Sequence, residues 1–381
     1  MLRDLRIKNF RGFRQFSMSG LGRVNLLVGT NNCGKTSVLE AIRALSAPGT
    51  ASPLWLAQAR RGEFVDNASD NQVDVTHLIH GRKLFVGSGF RIEGDGSTGR
   101  QALGAEFVAR KPERRSVARK PERRPVDEAD DENYEDDDER DIDATARLLA
   151  PLSLLLTWSS SLAHKSVALM ISRRAGLSLS RVVSSEDTDG SEELNSLVLI
   201  TTDGLPRHEI ISMFESIVLT PSEELVLRAL RTVEPGIERI ASIGTHARQS
   251  TRDLRGGLAA MVAGQRIPIG SMGEGIWRLL GIALALAEAR GGVLLVDEID
   301  AGLHYSVLVD MWRLVFETAR SLDVQVFATT HSRDCYEALA AIAEPGRGEI
   351  SLQRIERGKV DAVAFSEVEI QQAAERGLEV R

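Results

Sequence analysis

The chain has 381 residues, 43% of them hydrophobic, with a formal net charge of −7 and two cysteines, Cys33 and Cys335. This is ample apolar material for a packed core, and it excludes a disulfide framework and any global attraction to nucleic acid. The N-terminus lacks an apolar signal core, and the most apolar stretch, Leu148 to Ala163, is broken by Pro151, Thr157 and serines; a cytoplasmic protein that crosses no membrane is expected.

Leu2 to Phe10 alternates apolar and basic residues, which predicts an early strand ending in a turn at Arg11-Gly12, with Phe16 to Met18 as its hairpin partner. Arg11 is either a solvated turn residue or a cation that reaches a phosphate from beside the next motif. Val24 to Val28 is a short apolar run suited to a buried parallel strand. Gly29 to Ser37 then reads Gly29-Thr30-Asn31-Asn32-Cys33-Gly34-Lys35-Thr36-Ser37 and fits G-x-x-x-x-G-K-[ST]. In such a loop the backbone N–H groups wrap phosphates, the lysine reaches the β and γ oxygens and the threonine holds Mg²⁺. Val38, Leu39, Ile42 and Leu45 share one face of a helix predicted over Lys35 to Leu45, so strand, glycine loop and helix N-terminus follow in the order an anion site needs.

A second helix is predicted over Leu54 to Phe64, and strands over Leu84 to Ile92 and Leu103 to Val108, the pair forming a β-rich arm around the Gly94 to Gly99 turn. His77 and His80 lie three apart without the further ligands that would complete a metal site. Residues 108 to 115 and 117 to 124 both read Val-Ala-Arg-Lys-Pro-Glu-Arg-Arg, and Asp127 to Asp143 follows with twelve acidic residues and one Arg. Adjacent blocks of opposite charge predict a disordered insertion over 109 to 145, or a basic nucleic-acid arm masked by its acidic neighbour. Strand-like runs follow at Leu152 to Trp158, Val167 to Ser172 and Leu197 to Thr201, and Ser222 to Arg231 is a predicted helix behind Pro221. Glu238 to Val262 reads as helix or strand.

Gly270 to Gly275 is a second glycine loop, placed before Ile276 to Ala289, a segment apolar nearly all round. Ser271 is there as a helix cap or as a phosphate ligand. Val293 to Val296 ends at Asp297-Glu298, two carboxylates at the end of a buried strand. Asp297 suits a Mg²⁺ shell and Glu298 a base for an attacking water. Asp300 to His304 and a helix through Leu314 come next, and the aliphatic strand Val324 to Ala328 ends in Thr329-Thr330-His331-Ser332. His331, beside the acids, is placed to reach a γ-phosphate.

These blocks in this order resemble the ABC-type ATPases of the SMC, RecF and OLD group, nearest to single-chain AAA-type ATPases related to the ATPase half of OLD nucleases. The resemblance covers most of residues 1 to 45 and 215 to 340. It implies Walker A at Gly29 to Thr36, a signature loop at Ser271 to Gly275 that includes Gly273, Walker B at Leu294 to Asp297 with catalytic Glu298, a D-loop at Asp300 to His304 and a switch histidine at His331. It places Arg11 near the nucleotide. Met272 stands where transporter cassettes have Gly, and Gln72 and Gln101 are both candidates for the Q-loop glutamine. OLD nucleases carry a further nuclease domain, whereas fifty residues follow His331 here.

The expected fold is α/β. It is one ATPase domain over 1–381, with an N-terminal region over 1–108, the insertion over 109–145 and a C-terminal region over 146–381. A mostly parallel sheet carries the P-loop, with an antiparallel β arm and a helical lobe before Ser271. The expected function is Mg²⁺-dependent ATP hydrolysis that drives an ATP-dependent homodimer cycle. Its setting is DNA maintenance, repair or phage defence, with an effector protein from an adjacent gene and a DNA contact as the partners. The alternatives are a clamp that binds ATP without turning it over, and a transporter cassette. Glu298 counts against the first, and the long separation of Walker A from the signature counts against the second.

Overall fold

The structure is a computed structural model that describes residues 1–66, 72–109, 152–161, 163–172, 174–180, 182, 196–243 and 257–378. Apart from its first residue, the charged insertion expected at 109–145 lies outside these. Two six-stranded sheets dominate the described residues. The core sheet runs β10 (Leu197–Ile200), β14 (Val293–Val296), β15 (Gln325–Thr329), β3 (Val24–Val28), β16 (Ile350–Arg354) and β17 (Val363–Phe365). It is parallel except for β17. The continuous aliphatic runs belong to its inner strands, as both faces are covered.

Alternate residues of these strands divide the molecule into two cores. Leu27, Leu295 and Phe327 face helix α1 (Lys35–Leu45), while Val24, Leu26, Leu294, Val296 and Val326 face a helical layer. That layer contains α3 (Arg207–Ile217), α4 (Pro221–Arg231), α5 (Glu274–Glu288), α6 (Leu308–Ser321), α7 (Arg333–Ile342) and α8 (Glu367–Glu375). Helix α4 starts as its sequence predicts: Thr220 caps Ser222 N–H, Pro221 opens the first turn and Glu223 and Glu224 face the helix dipole. Of the stretch 238–262, left open by the sequence, the described residues 238–242 and 258–262 are strand. Strands β11 (Ile237–Ser242), β12 (Leu258–Val262) and β13 (Gln265–Pro268) form a small antiparallel sheet beneath the lobe.

The antiparallel sheet is larger than the expected arm. Its order is β2 (Phe13–Met18), β1 (Leu2–Phe10), β5 (Gly89–Gly96), β6 (Gly99–Ala109), β7 (Leu152–Ser160) and β8 (His164–Met170). The N-terminal hairpin and the runs after 152 and 164, which looked separate in sequence, thus join the expected arm in one sheet, while the run at 197 goes to the core sheet, and α1 lies between the two sheets. Residues 84–88 are not strand as expected. Ser88 Oγ turns the chain back, donating to Phe85 O at 2.6 Å and accepting from Phe85 N–H at 3.1 Å. Helix α2 (Ser52–Arg60) ends earlier than the predicted Phe64, because Gly62 follows at φ 68°. A ribbon of β4 (Val73–Asp74) and β9 (Gly176–Leu177) closes this side. No helix of the described residues is long and apolar enough to cross a membrane.

Trp158 on β7 fixes α1 between the sheets. Its indole N–H donates to Ala44 O at 3.0 Å. That carbonyl lies in the last helical turn, and its i+4 residue is Pro48, which has no N–H to give. Trp158→Phe keeps the aromatic packing and strands the carbonyl, so a loss of about 1–2 kcal/mol is expected. Urea unfolding should report it as a lower midpoint at unchanged slope; an unchanged midpoint would mean the bond contributes nothing.

Candidate active site

Two glycines shape the loop between β3 and α1. At Gly29 (φ 146°) a Cβ would lie 2.3 Å from Ile355 O, and at Gly34 (φ 111°) one would lie 2.4 Å from the Phe13 ring. No side chain fits either position, and Asn32 takes a left-handed φ of 61° that asparagine tolerates. The cradle opens at the N-terminus of α1, whose first turn has no side-chain cap. Its free N–H groups and dipole favour an anion there. Lys35 Nζ folds over the loop and donates to Gly29 O at 2.7 Å and Thr30 O at 3.1 Å. Ser37 and Cys33 are buried beneath the loop, while Asn31, Asn32 and Thr36 face solvent. A cavity of about 930 Å³ begins at Asn32, Cys33, Gly34 and Ser37 and extends to Arg357 and Lys359 of the loop after β16.

Arg11 is on the wall of this cavity but is neither solvated nor free. Its Nε lies 2.5 Å from Glu40 of α1, and its Nη1 donates to both oxygens of Glu63, at 2.9 and 3.0 Å. Arg61 also pairs with Glu40, at 2.8 Å. His77 stands 3.7 Å from both Glu63 and Asp74, and His80 Nδ1 lies 3.2 Å from Arg11 O. The two histidines thus serve the same polar cluster. Among the described residues no group of three or more His, Cys, Asp or Glu side chains is arranged to hold a metal.

Core strands β14 and β15 deliver the acidic half. Thr36 Oγ1 donates to Asp297 Oδ2 at 3.0 Å, and Thr329 Oγ1 donates to Asp297 Oδ1 at 2.6 Å. Glu298 N–H donates to Thr329 Oγ1 at 2.8 Å. Glu298 itself is left-handed, φ 50°, and its Oε1 lies 3.5 Å from His331 Nδ1. Asp300 accepts from Thr330 Oγ1 at 2.7 Å. The hydroxyl of Thr36 and the carboxylate of Asp297, side by side at the mouth of the glycine cradle, are hard oxygen donors of the kind that hold Mg²⁺ with few protein ligands.

Of the residues singled out in the sequence, the structure thus brings Thr36 to Asp297 and Glu298 to His331, while Lys35 Nζ bonds the loop carbonyls of Gly29 and Thr30. Ser271 and Gly273 do not join them, and neither forms a hydrogen bond to these residues among the described residues. Ser271 sits in a short turn, Ile269–Ser271, and Gly273 (φ 100°) caps α5 without a side-chain bond. The capping alternative for Ser271 is thus not used, and the residue is exposed. Gln72 and Gln101 also stay away: Gln101 bonds Thr98 at 3.3 Å, and Gln72 lies against Gly176. Sequence reasoning missed Thr329, Glu40, Glu63 and Arg278. The hydroxyl pair directly before His331, and a single Arg in an otherwise apolar helix, were the available signals.

The chain matches the family described as "AAA domain, putative AbiEii toxin, Type IV TA system" over residues 24–334. It is 20% identical over 372 residues to a Helicobacter pylori protein named ATP/GTP phosphatase, covering 89% of this chain and 87% of that one. An uncharacterized protein of Methanocaldococcus jannaschii is 45% identical over 42 residues, which is 11% of this chain and 19% of that protein's length. Among solved structures, the SMC head domain from Thermotoga maritima covers 96% of this chain and 98% of its own at 14% identity, with a TM-score of 0.42. An SMC head bound to the C-terminal winged-helix domain of ScpA gives the same coverage at 15% identity and 0.44. The family match spans both halves of the site, from β3 and the glycine loop to the residues after His331, and the chain belongs to this family of AAA ATPase domains.

Proposed function

We propose that the protein hydrolyses ATP, and that the observation carrying this reading is the junction of Thr36, Asp297, Glu298 and His331 at the open end of the glycine cradle. In this reading the triphosphate lies in the cradle, and Lys35 exchanges the Gly29 and Thr30 carbonyls for the β- and γ-phosphate oxygens. The nucleoside extends into the cavity toward Arg357 and Lys359, past the ion-paired Arg11. Mg²⁺, held by Thr36 and Asp297, would neutralise the charge that builds on the phosphates.

Glu298 orients a water for in-line attack on the γ-phosphorus. As the new P–O bond forms, the bond to the β–γ bridging oxygen breaks, ADP carries that oxygen away, and the water proton passes to Glu298. His331, within reach of the Glu298 carboxylate, donates toward the transferred group. A clamp that binds ATP without turnover would have no use for an acid held beside that histidine.

The resemblance to SMC and RecF heads further supports a head-to-tail dimer, in which Ser271 and Gly273 of one copy close over the nucleotide of the other. This would explain why they stand apart from the site within one chain. The output of such a cycle would pass to a DNA or protein partner, an effector encoded nearby being the candidate.

Glu298→Gln should lower kcat about 10²–10³-fold while leaving the Kd for ATP within about twofold, since only the base is lost. With ATP and Mg²⁺ the same variant should accumulate as a dimer in light scattering. A monomer at concentrations well above that Kd would remove the partner-supplied Ser271. The purified chain should also leave plasmid DNA uncut in Mg²⁺, since the carboxylate pair at the end of β14 is committed to ATP. Cleavage that survives Lys35→Ala and Glu298→Gln would reveal a second active site.

A further inference from the structure

Glu298 occupies a backbone conformation that few side chains of its size adopt. The turn takes its two peptide groups out of the β14 ladder, and both need other partners. The N–H finds Thr329 Oγ1 at 2.8 Å. The carbonyl accepts from Ala301 N–H at 3.0 Å and from Arg278 Nη2 at 2.6 Å, and that Nη2 also donates to Asp297 O at 2.9 Å. Arg278 Nη1 reaches Thr201 O, at the end of β10, at 3.0 Å. One guanidinium thus forks over the ends of two adjacent parallel strands and bonds three backbone carbonyls, of which Thr201 O and Glu298 O also accept a turn N–H, from Gly204 at 2.9 Å and Ala301 at 3.0 Å.

Arg278 is 7% exposed and lies in a helix whose other residues from Ile276 to Ala289 are nearly all apolar. Burial pulls its pKa down, while Asp300, Asp297 and Glu298 act in the opposite direction. A desolvated cation at such a place is unfavourable against an apolar residue unless its donors are used. Here Nη1 and Nη2 are spent on backbone rather than on a carboxylate, while Nε is buried without a hydrogen-bond partner among the described residues. Packing alone gives no reason for an arginine.

We propose that Arg278 is a positioning residue for hydrolysis: it holds the carbonyls of Asp297 and Glu298, fixes the left-handed turn, and so aims the Glu298 carboxylate beside His331. The helix that carries Arg278 begins at Glu274 with Gly273 as its N-cap, immediately after Ser271 and Met272. A shift of that helix start, such as a second copy of the chain would cause by engaging the loop, therefore reaches the catalytic carboxylate through one side chain. This inference rests on the hydrolytic role of Glu298 proposed above.

The test compares full-length Arg278→Lys, Arg278→Gln, Glu298→Gln and the Glu298→Gln/Arg278→Lys double variant. The measurements are kcat and KM for ATP, binding of a fluorescent ATP analogue with Mg²⁺, and thermal unfolding. Lysine keeps the charge but not the fork. Arg278→Lys should therefore lower kcat about 10–100-fold with analogue affinity within about twofold and the melting temperature little changed, and Arg278→Gln should lose more. The double variant should turn over no more slowly than Glu298→Gln alone, because Arg278 acts through Glu298. Losses that multiply in the double variant, full kcat in Arg278→Lys, or parallel falls in affinity and melting temperature would each overturn the inference. Parental turnover in Glu298→Gln would instead overturn the hydrolytic role itself, and that single variant tells the two failures apart.

Discussion

Thr36 and Asp297 are 261 residues apart in sequence and 3.0 Å apart at their side chains. The rest of the site depends on this juxtaposition. It requires β3 and β14 to lie in one sheet with their C-terminal ends level, separated by β15, and the parallel registers of β15 with both neighbours provide this. Thr329, at the end of that intervening strand, binds the other Asp297 oxygen and the Glu298 N–H together. One hydroxyl on the middle strand therefore spaces the glycine cradle from the carboxylates, and Thr330 does the same for Asp300. The bonds from Thr329 to Asp297 and from Thr330 to Asp300, 2.6 and 2.7 Å, are short and charge-assisted, so they define geometry as well as contributing energy.

The layer beneath the cradle follows from the burial of α1. A helix with a sheet on each side needs apolar residues on two faces: Val38, Leu39, Ile42 and Leu45 supply one, and the small Ala41 and Ala44 are buried on the other. Its polar exception is Glu40, buried and held by Arg11 and Arg61. Buried ion pairs of this kind add little net stability, as desolvation offsets attraction. Removing one partner would leave an uncompensated charge, so the cluster fixes how the β1–β2 turn and the end of α2 sit against the P-loop helix. Arg11 is committed to that register by two carboxylates, and reaching a phosphate would require it to leave at least one of them.

Two buried cations near the site, Arg11 and Arg278, use their charge differently. Arg11 answers carboxylates on neighbouring elements, whereas Arg278 answers three backbone carbonyls at strand ends. In the second arrangement no carboxylate is hydrogen-bonded to the guanidinium among the described residues, and under the proposed role a movement of α5 would pass to the backbone that carries Asp297 and Glu298. The strained φ of Glu298 is the feature that such a restraint would stabilise.

The sequence by itself determined the motifs and the inner strands. Val24–Val28, Lys35–Leu45 and Val293–Val296 have the limits read from their apolar runs and glycine punctuation, because a strand buried on both faces and a helix opened by a phosphate loop leave local signatures. It also placed Asp297, Glu298 and His331 at strand ends. Only the tertiary structure decided that the N-terminal hairpin, the 89–109 hairpin and the strands after 152 make one sheet, since antiparallel pairing across long separations has no local signal. The same holds for Thr329 and Arg278. A hydroxyl or a guanidinium that satisfies another strand's backbone carries no mark in the sequence, because its partner is fixed by the sheet register and by the helix packed on it.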